Sequence, residues 1–152
     1  MIETRLTRAF GLRHPVLSAP MAKVGGGALA AAVTRAGGLG LIGGGYCEPD
    51  WIAAQFEAAG EVPVGIGFIT WRLDGMPGLL ERALERGPRA VFLSFGDPVP
   101  YGDAVRAAGV PLISQCQSLD DLRRAVEAGA RAVVAQGREA GGHGADRATM
   151  TL

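Results

Sequence analysis

Short apolar runs recur along the chain at near-even spacing, separated by amphipathic stretches. The runs are Pro15 to Ala19, Gly38 to Ile42, Val62 to Ile69, Ala90 to Phe95, Val110 to Gln115 and Ala132 to Gln136. Their starts lie roughly 20 to 28 residues apart, the length of one βα unit in an α/β protein. Most of them lack polar alternation, as parallel strands covered on both faces do. The intervening segments carry helix signals. Ser118 is an N-cap candidate before Leu119, Leu122, Val126 and Gly129, which share one helical face. Pro49 opens a helix striped by Ile52, Phe56 and Ala59, and Pro77 opens one with Leu80, Ala83 and Leu84 inward and Gly87 at its end. Pro98 and Pro100 begin a weaker helix through Ala108. Ala28 to Ala36 is built of small and apolar residues, which predicts deeper burial than the other helices receive.

These phases fit a doubly wound sheet or a barrel. Consecutive βα units without a long insertion favour the α/β class as a (β/α)8 TIM barrel, of which about six units are present, where a complete barrel takes about 250 residues and eight strands. On this reading residues 1–152 are the N-terminal part of a single barrel domain. Strands seven and eight, and the phosphate-binding loops that follow them, are expected to be absent, leaving the barrel incomplete.

Composition narrows the class. With Lys plus Arg and Asp plus Glu balanced at 15 each, no bulk field draws the chain to nucleic acid or an anionic membrane. No apolar stretch reaches spanning length and the N-terminus carries no secretory signal, which reads as cytoplasmic. The two cysteines, Cys47 and Cys116, are too few for a disulfide framework and read as small buried thiols. The glycines cluster at 25–27, 37–45 and 137–144, beside apolar runs, as tight turns and close backbone approach to a ligand require.

Three segments carry candidate chemistry. Pro15-Val16-Leu17-Ser18-Ala19-Pro20-Met21-Ala22 ends a buried strand in a rigid turn on the face where barrel enzymes keep their sites. Ala19 lets a flat ring lie close, Pro20 fixes the turn and Met21 offers a soft contact; a core strand with a stiff exit explains the segment as well. Gly38-Leu39-Gly40-Leu41-Ile42-Gly43 satisfies G-x-G-x-x-G, but its glycines run through the strand instead of opening a helix, so a dinucleotide site is not implied. A bare loop giving a ligand room is the better reading. In the third segment, Val133 through Gly144, a strand delivers Gln136, a donor and acceptor suited to the edge of a heterocycle, and a glycine-rich loop presents His143. A solvated loop histidine is the bland alternative. His14 precedes the first run at the opposite end and gets no role. Ser114 and Cys116 fit core packing better than a pocket wall, and Trp71 and Arg72 are candidate walls without a visible partner.

Ala19-Pro20-Met21, Ala36-Gly37-Gly38-Leu39-Gly40, Val62-Pro63-Val64-Gly65 and Gln136-Gly137 through Glu139-Ala140-Gly141-Gly142-His143-Gly144 stand in the order seen in nitronate monooxygenases, formerly 2-nitropropane dioxygenases. The chain resembles that family along its whole length. The resemblance implies a TIM barrel holding FMN without covalent attachment, oxidising alkyl nitronates with O2 to carbonyl compounds and nitrite by single-electron transfer. It implies Ala19, Pro20, Met21, Gln136 and Gly141 as FMN-binding residues, His143 as the catalytic residue, and no metal. Many members have Asn where this sequence has Gly67, so one flavin contact is missing or replaced. The expected partners are a small nitronate and O2, with neither nucleic acid nor membrane, and a homo-oligomer left open. The runner-up is a flavin-dependent enoyl-acyl-carrier-protein reductase, which also carries Ala-Gly-Gly-His. A nonenzymatic fragment is a third reading, because the 152 residues alone are expected to be inactive and to hold FMN weakly. A sugar-phosphate isomerase on the same fold ranks lowest.

Overall fold

The computed structural model describes residues 2–46 and 48–144; the expectation for Cys47 lies outside them. Five of the apolar runs form strands, β1 (Leu41–Gly45), β2 (Gly65–Ile69), β3 (Val91–Ser94), β4 (Leu112–Cys116) and β5 (Ala132–Ala135). They make one parallel sheet in the order β1-β2-β3-β4-β5. A doubly wound sheet would reverse direction at a switch point. This one does not, and it is an arc of a (β/α)8 barrel.

The first run departs from expectation. Instead of a sixth strand it makes a single parallel bridge, Leu17 to Leu39, beside β1. The Ser18 N–H donates to the Leu39 carbonyl at 3.0 Å, and the Leu39 N–H donates to the Val16 carbonyl at 2.9 Å. The ladder then stops, because the Leu41 N–H donates to Ser18 Oγ at 2.8 Å instead of to a main-chain carbonyl. Pro15 and Pro20, which have no N–H to give, bracket the run.

Alternate strand residues feed two separate cores, the consequence of a period-two backbone. Ile42, Ile66, Phe68, Val91, Leu93 and Leu112 pack outward against the helices. Leu39, Leu41, Ala90, Phe92 and Ile113 pack on the opposite, inner face with Phe10 and Leu12. Phe10 ends α1 (Arg5–Phe10), a short helix that the hydrophobic pattern did not announce. Its signals are small: Thr4 and Thr7 form reciprocal N-terminal caps and Gly11, at φ 60°, closes it. Arg89, just before β3, donates to the carbonyls of Phe10 (2.6 Å) and Gly11 (3.0 Å), pinning α1 beneath the N-terminal ends of the strands.

The outer helices are α2 (Gly27–Ala36), α3 (Pro49–Ala59), α4 (Thr70–Leu73), α5 (Leu79–Glu85), α6 (Val99–Ala107) and α7 (Leu119–Glu127). In α3 and α5 the predicted stripes face inward, with Ile52, Ala59, Leu80 and Ala83 buried. Two expectations are corrected. Ala28, Leu29 and Ala32 of α2 are exposed, and only Gly27, Ala30 and Ala31 are buried. Its small residues serve proximity, not depth: a Cβ at Gly40 would lie 1.8 Å from the Ala30 carbonyl oxygen, and one at Gly27 1.8 Å from that of Gln55. In α7, Leu119 and Val126 are exposed while Ala125 and Ala128 face in. Ala128 sits so close to Gly102 of α6 that a Cβ there would meet its carbonyl at 2.4 Å, so the small residues make the packed face. Among the described residues no helix is long and apolar enough to cross a membrane.

Candidate active site

At the C-terminal ends of the strands lies an open cleft of about 270 Å³, lined by Ala19, Pro20, Met21, Gln136, Gly141 and His143 together with Tyr46, Phe92, Phe95 and Gln115. A second hollow of about 530 Å³ adjoins it and shares Ala19, Pro20, Met21, Phe92, Gln115 and Gln136. All six residues singled out from the sequence therefore meet in one place, although two chain segments more than a hundred residues apart supply them.

The turn after the first run is held by glycines. The carbonyl of Met21 accepts the N–H of Gly25 at 2.7 Å, and the carbonyl of Gly25 accepts that of Gly43 at 2.7 Å. A Cβ at Gly43 would lie 2.1 Å from the Met21 oxygen, and one at Gly45 would lie 2.4 Å from the Ala22 Cβ. The space these glycines clear is thus filled by the chain's own 20–25 turn, rather than left for a ligand as the sequence suggested. With that turn seated, Ala19 and Met21 remain exposed at the cleft, Met21 at 44%.

Gln136 follows β5, its N–H donating to the Cys116 carbonyl at 3.0 Å. Its side chain is engaged on both ends. Nε2 donates to the His143 carbonyl at 2.9 Å, while Oε1 accepts from Gln115 Nε2 (2.9 Å) and Gln117 Nε2 (2.7 Å). Gln117 is itself tethered to the first turn of α7. Its N–H donates to Asp121 Oδ2 at 2.9 Å, and Ser118 Oγ caps the helix by accepting the Asp121 N–H at 3.1 Å. The acid three residues after the cap therefore serves Gln117 rather than Ser118.

The His143 ring lies between two aromatic rings, with its centroid 6.2 Å from that of Tyr46, edge-on at 71°, and 6.0 Å from that of Phe95. Phe95 holds a left-handed backbone at φ 58°, unusual for a residue with a side chain. It leaves β3 beside Ser94, whose hydroxyl donates to the Phe68 carbonyl at 3.1 Å. Tyr46, Phe95, Gln115 and Gln117 were missed by sequence reasoning. The usable signal was positional: Tyr46, Phe95 and Gln117 follow strands β1, β3 and β4, and Gln115 lies in β4, towards the barrel's active face.

Other candidates fall away. Trp71 and Arg72 lie outside the cleft, with the guanidinium 5.7 Å from the exposed Trp71 ring. Ser114 and Cys116 are buried in the packing, as expected. Burial, followed by the charge of Asp121, pushes the Cys116 thiol above its usual range, so it stays protonated and unreactive. His14 is exposed, its N–H on the Gly37 carbonyl at 3.0 Å near the C-terminus of α2, away from the cleft.

Comparison with known proteins gives the arrangement a lineage. The family model described as nitronate monooxygenase matches residues 3–70. The nitronate monooxygenase of Pseudomonas aeruginosa is 33% identical across 91% of this chain and 51% of its own length. The chain is similar to nitronate monooxygenases along most of its length. It spans about half the length of the curated relatives it matches. FabK from Thermotoga maritima superposes with a TM-score of 0.88 at 34% identity, over 100% of this chain and 50% of that one. Nitroalkane oxidase from Streptomyces ansochromogenes gives 0.77 at 29%, over 92% and 50%. Gly67, where the resemblance leads to an Asn in many nitronate monooxygenases, faces Pro20. A Cβ there would stand 2.4 Å from the Pro20 Cβ and 2.5 Å from its Cγ. The proline ring occupies the place of the side chain.

Proposed function

We propose that the cleft binds FMN and that the intact protein oxidises alkyl nitronates with O2 to carbonyl compounds and nitrite. The observation that carries this reading is the meeting of Ala19, Pro20 and Met21 with Gln136, Gly141 and His143 around one cleft. The residues fit a flavin ring. Small and apolar groups form one wall, Gln136 supplies a polar edge, and a Cβ at Gly141 or Gly142 would meet nothing within 4 Å, leaving backbone open to approach. Ala19, Pro20 and Met21 would lie against the ring, and Gln136 and Gly141 would hold its edge. When bound, FMN supplies electron acceptance and reactivity towards O2, which no side chain here provides. His143 lies at the cleft between Tyr46 and Phe95, where its ring nitrogens can hold the nitro oxygens of a nitronate or carry a proton. The two aromatic rings favour a small apolar chain beside that group and narrow the access of water.

The test is the absorbance spectrum of the purified intact protein, followed by nitrite release and O2 consumption with a propyl nitronate. Flavin bands and nitrite formation are expected. A colourless protein that takes up no FMN contradicts the reading.

The likeness to FabK favours a second reading, a flavin-dependent enoyl-acyl-carrier-protein reductase on the same cleft. NADH consumption driven by an enoyl thioester, without nitrite from nitronates, would select it.

A further inference from the structure

The three carboxamides beside the cleft are oriented by one atom that cannot change its role. A glutamine amide can present either end, but the His143 carbonyl only accepts. Gln136 must therefore turn Nε2 to it, at 2.9 Å, and this sends Oε1 towards β4. There Oε1 meets the Nε2 atoms of Gln115 and Gln117, at 2.9 and 2.7 Å, which fill both of its lone pairs. The chain that results runs from α7 through Asp121 to Gln117, on to Gln136, and ends on the loop that carries His143.

We infer that Gln115 and Gln117 are positioning residues which lock Gln136 as a hydrogen-bond donor to the cleft and latch the 137–144 loop through the His143 carbonyl. Having spent its carbonyl on its neighbours, Gln136 has one N–H left to offer. The site therefore selects a ring edge that presents an acceptor, rather than the donor–acceptor pair the sequence suggested. The ligand half of this inference rests on the flavin reading above; the loop half does not.

Two substitutions at Gln117 in the intact protein separate positioning from folding. Gln117→Leu removes one donor. Gln117→Glu sets an acceptor against Gln136 Oε1, so the Gln136 amide turns over and aims its carbonyl at that of His143, breaking the latch. In ligand-free protein, tryptic cleavage after the exposed Arg138 is followed by mass spectrometry, and FMN dissociation constants are taken from flavin fluorescence quenching. Cleavage is expected to be about five-fold faster for Gln117→Leu, the scale of one neutral hydrogen bond, and faster still for Gln117→Glu. FMN affinity should fall in the same order, with parent-like melting temperatures. Variants that match the parent in both measurements overturn the inference, and so do equal effects in the two variants with a shared loss of melting temperature. If the parent itself takes up no FMN, the flavin reading falls, and the cleavage rates alone decide whether the latch exists.

Discussion

Pro20 occupies the volume that a side chain at residue 67 would need, and that single clash links a sequence difference to the shape of the site. Restoring the asparagine common in the family is therefore not expected to restore a flavin contact. Gly67→Asn forces the 20–25 turn or β2 to move, and overpacking of this kind costs about 1–3 kcal/mol. Thermal melting should show a lower Tm together with weaker FMN retention; an unchanged Tm with tighter FMN binding would show that Pro20 yields easily. His143 makes the complementary case, since its ring contacts are with Tyr46 and Phe95 at the cleft and it belongs to neither apolar core. His143→Ala should leave flavin content unchanged and slow nitronate turnover roughly 100- to 10,000-fold, the range for an acid–base or positioning group. An unchanged kcat/KM would remove it from the reaction.

At the scale of elements, the repeating units were legible because β1 to β4 are covered on both faces and the helices stand between turn residues. Ala90 to Phe95 contains β3, and the helix that Pro49 opens runs Pro49–Ala59 and includes the stripe of Ile52, Phe56 and Ala59. What escaped notice was settled by contacts distant in sequence. The first run has the composition of a strand, yet only the folded chain shows Ser18 Oγ taking the Leu41 N–H and ending the ladder. Ser18→Ala leaves that N–H, on a buried residue, without its partner, at a cost of about 1–3 kcal/mol. Chemical denaturation should show the loss, whereas parent-like stability would mean that the run extends its pairing to compensate. The small helix α1 was missed because six residues give no periodicity to read, only two threonine caps and a glycine. In α2 and α7 the side-chain pattern misled for a common reason. Where helices approach as closely as Gly27 to Gln55 or Gly102 to Ala128, alanine and glycine make the contact and larger residues are turned outward. The six residues that line the cleft were legible as motifs, but the glutamine chain from α7 to His143 was not. Nothing in the sequence says that Gln117 and Gln136, nineteen positions apart, share a hydrogen bond.

For the whole molecule, the arc of five strands has two unlike margins. Beside β1 the first run lies with Val16 exposed, and at the other margin β5 is only half covered, with Val133 at 44% exposure, while Leu119 and Val126 of α7 are exposed as well. Unpaired strand edges flanked by apolar surface recruit other chains. The 152-residue chain expressed by itself is accordingly expected to self-associate, and light scattering that reports a monodisperse monomer would show these margins to be covered. Segments from opposite ends of the described chain are proposed to build one flavin site. A crystal structure of the intact protein loaded with FMN tests this most directly. The isoalloxazine ring is expected against Ala19, Pro20 and Met21, with a Gln136 N–H on one of its acceptor atoms and His143 facing the open side. A ring bound elsewhere, or one that meets the carbonyl of Gln136 instead of its N–H, would contradict the proposal.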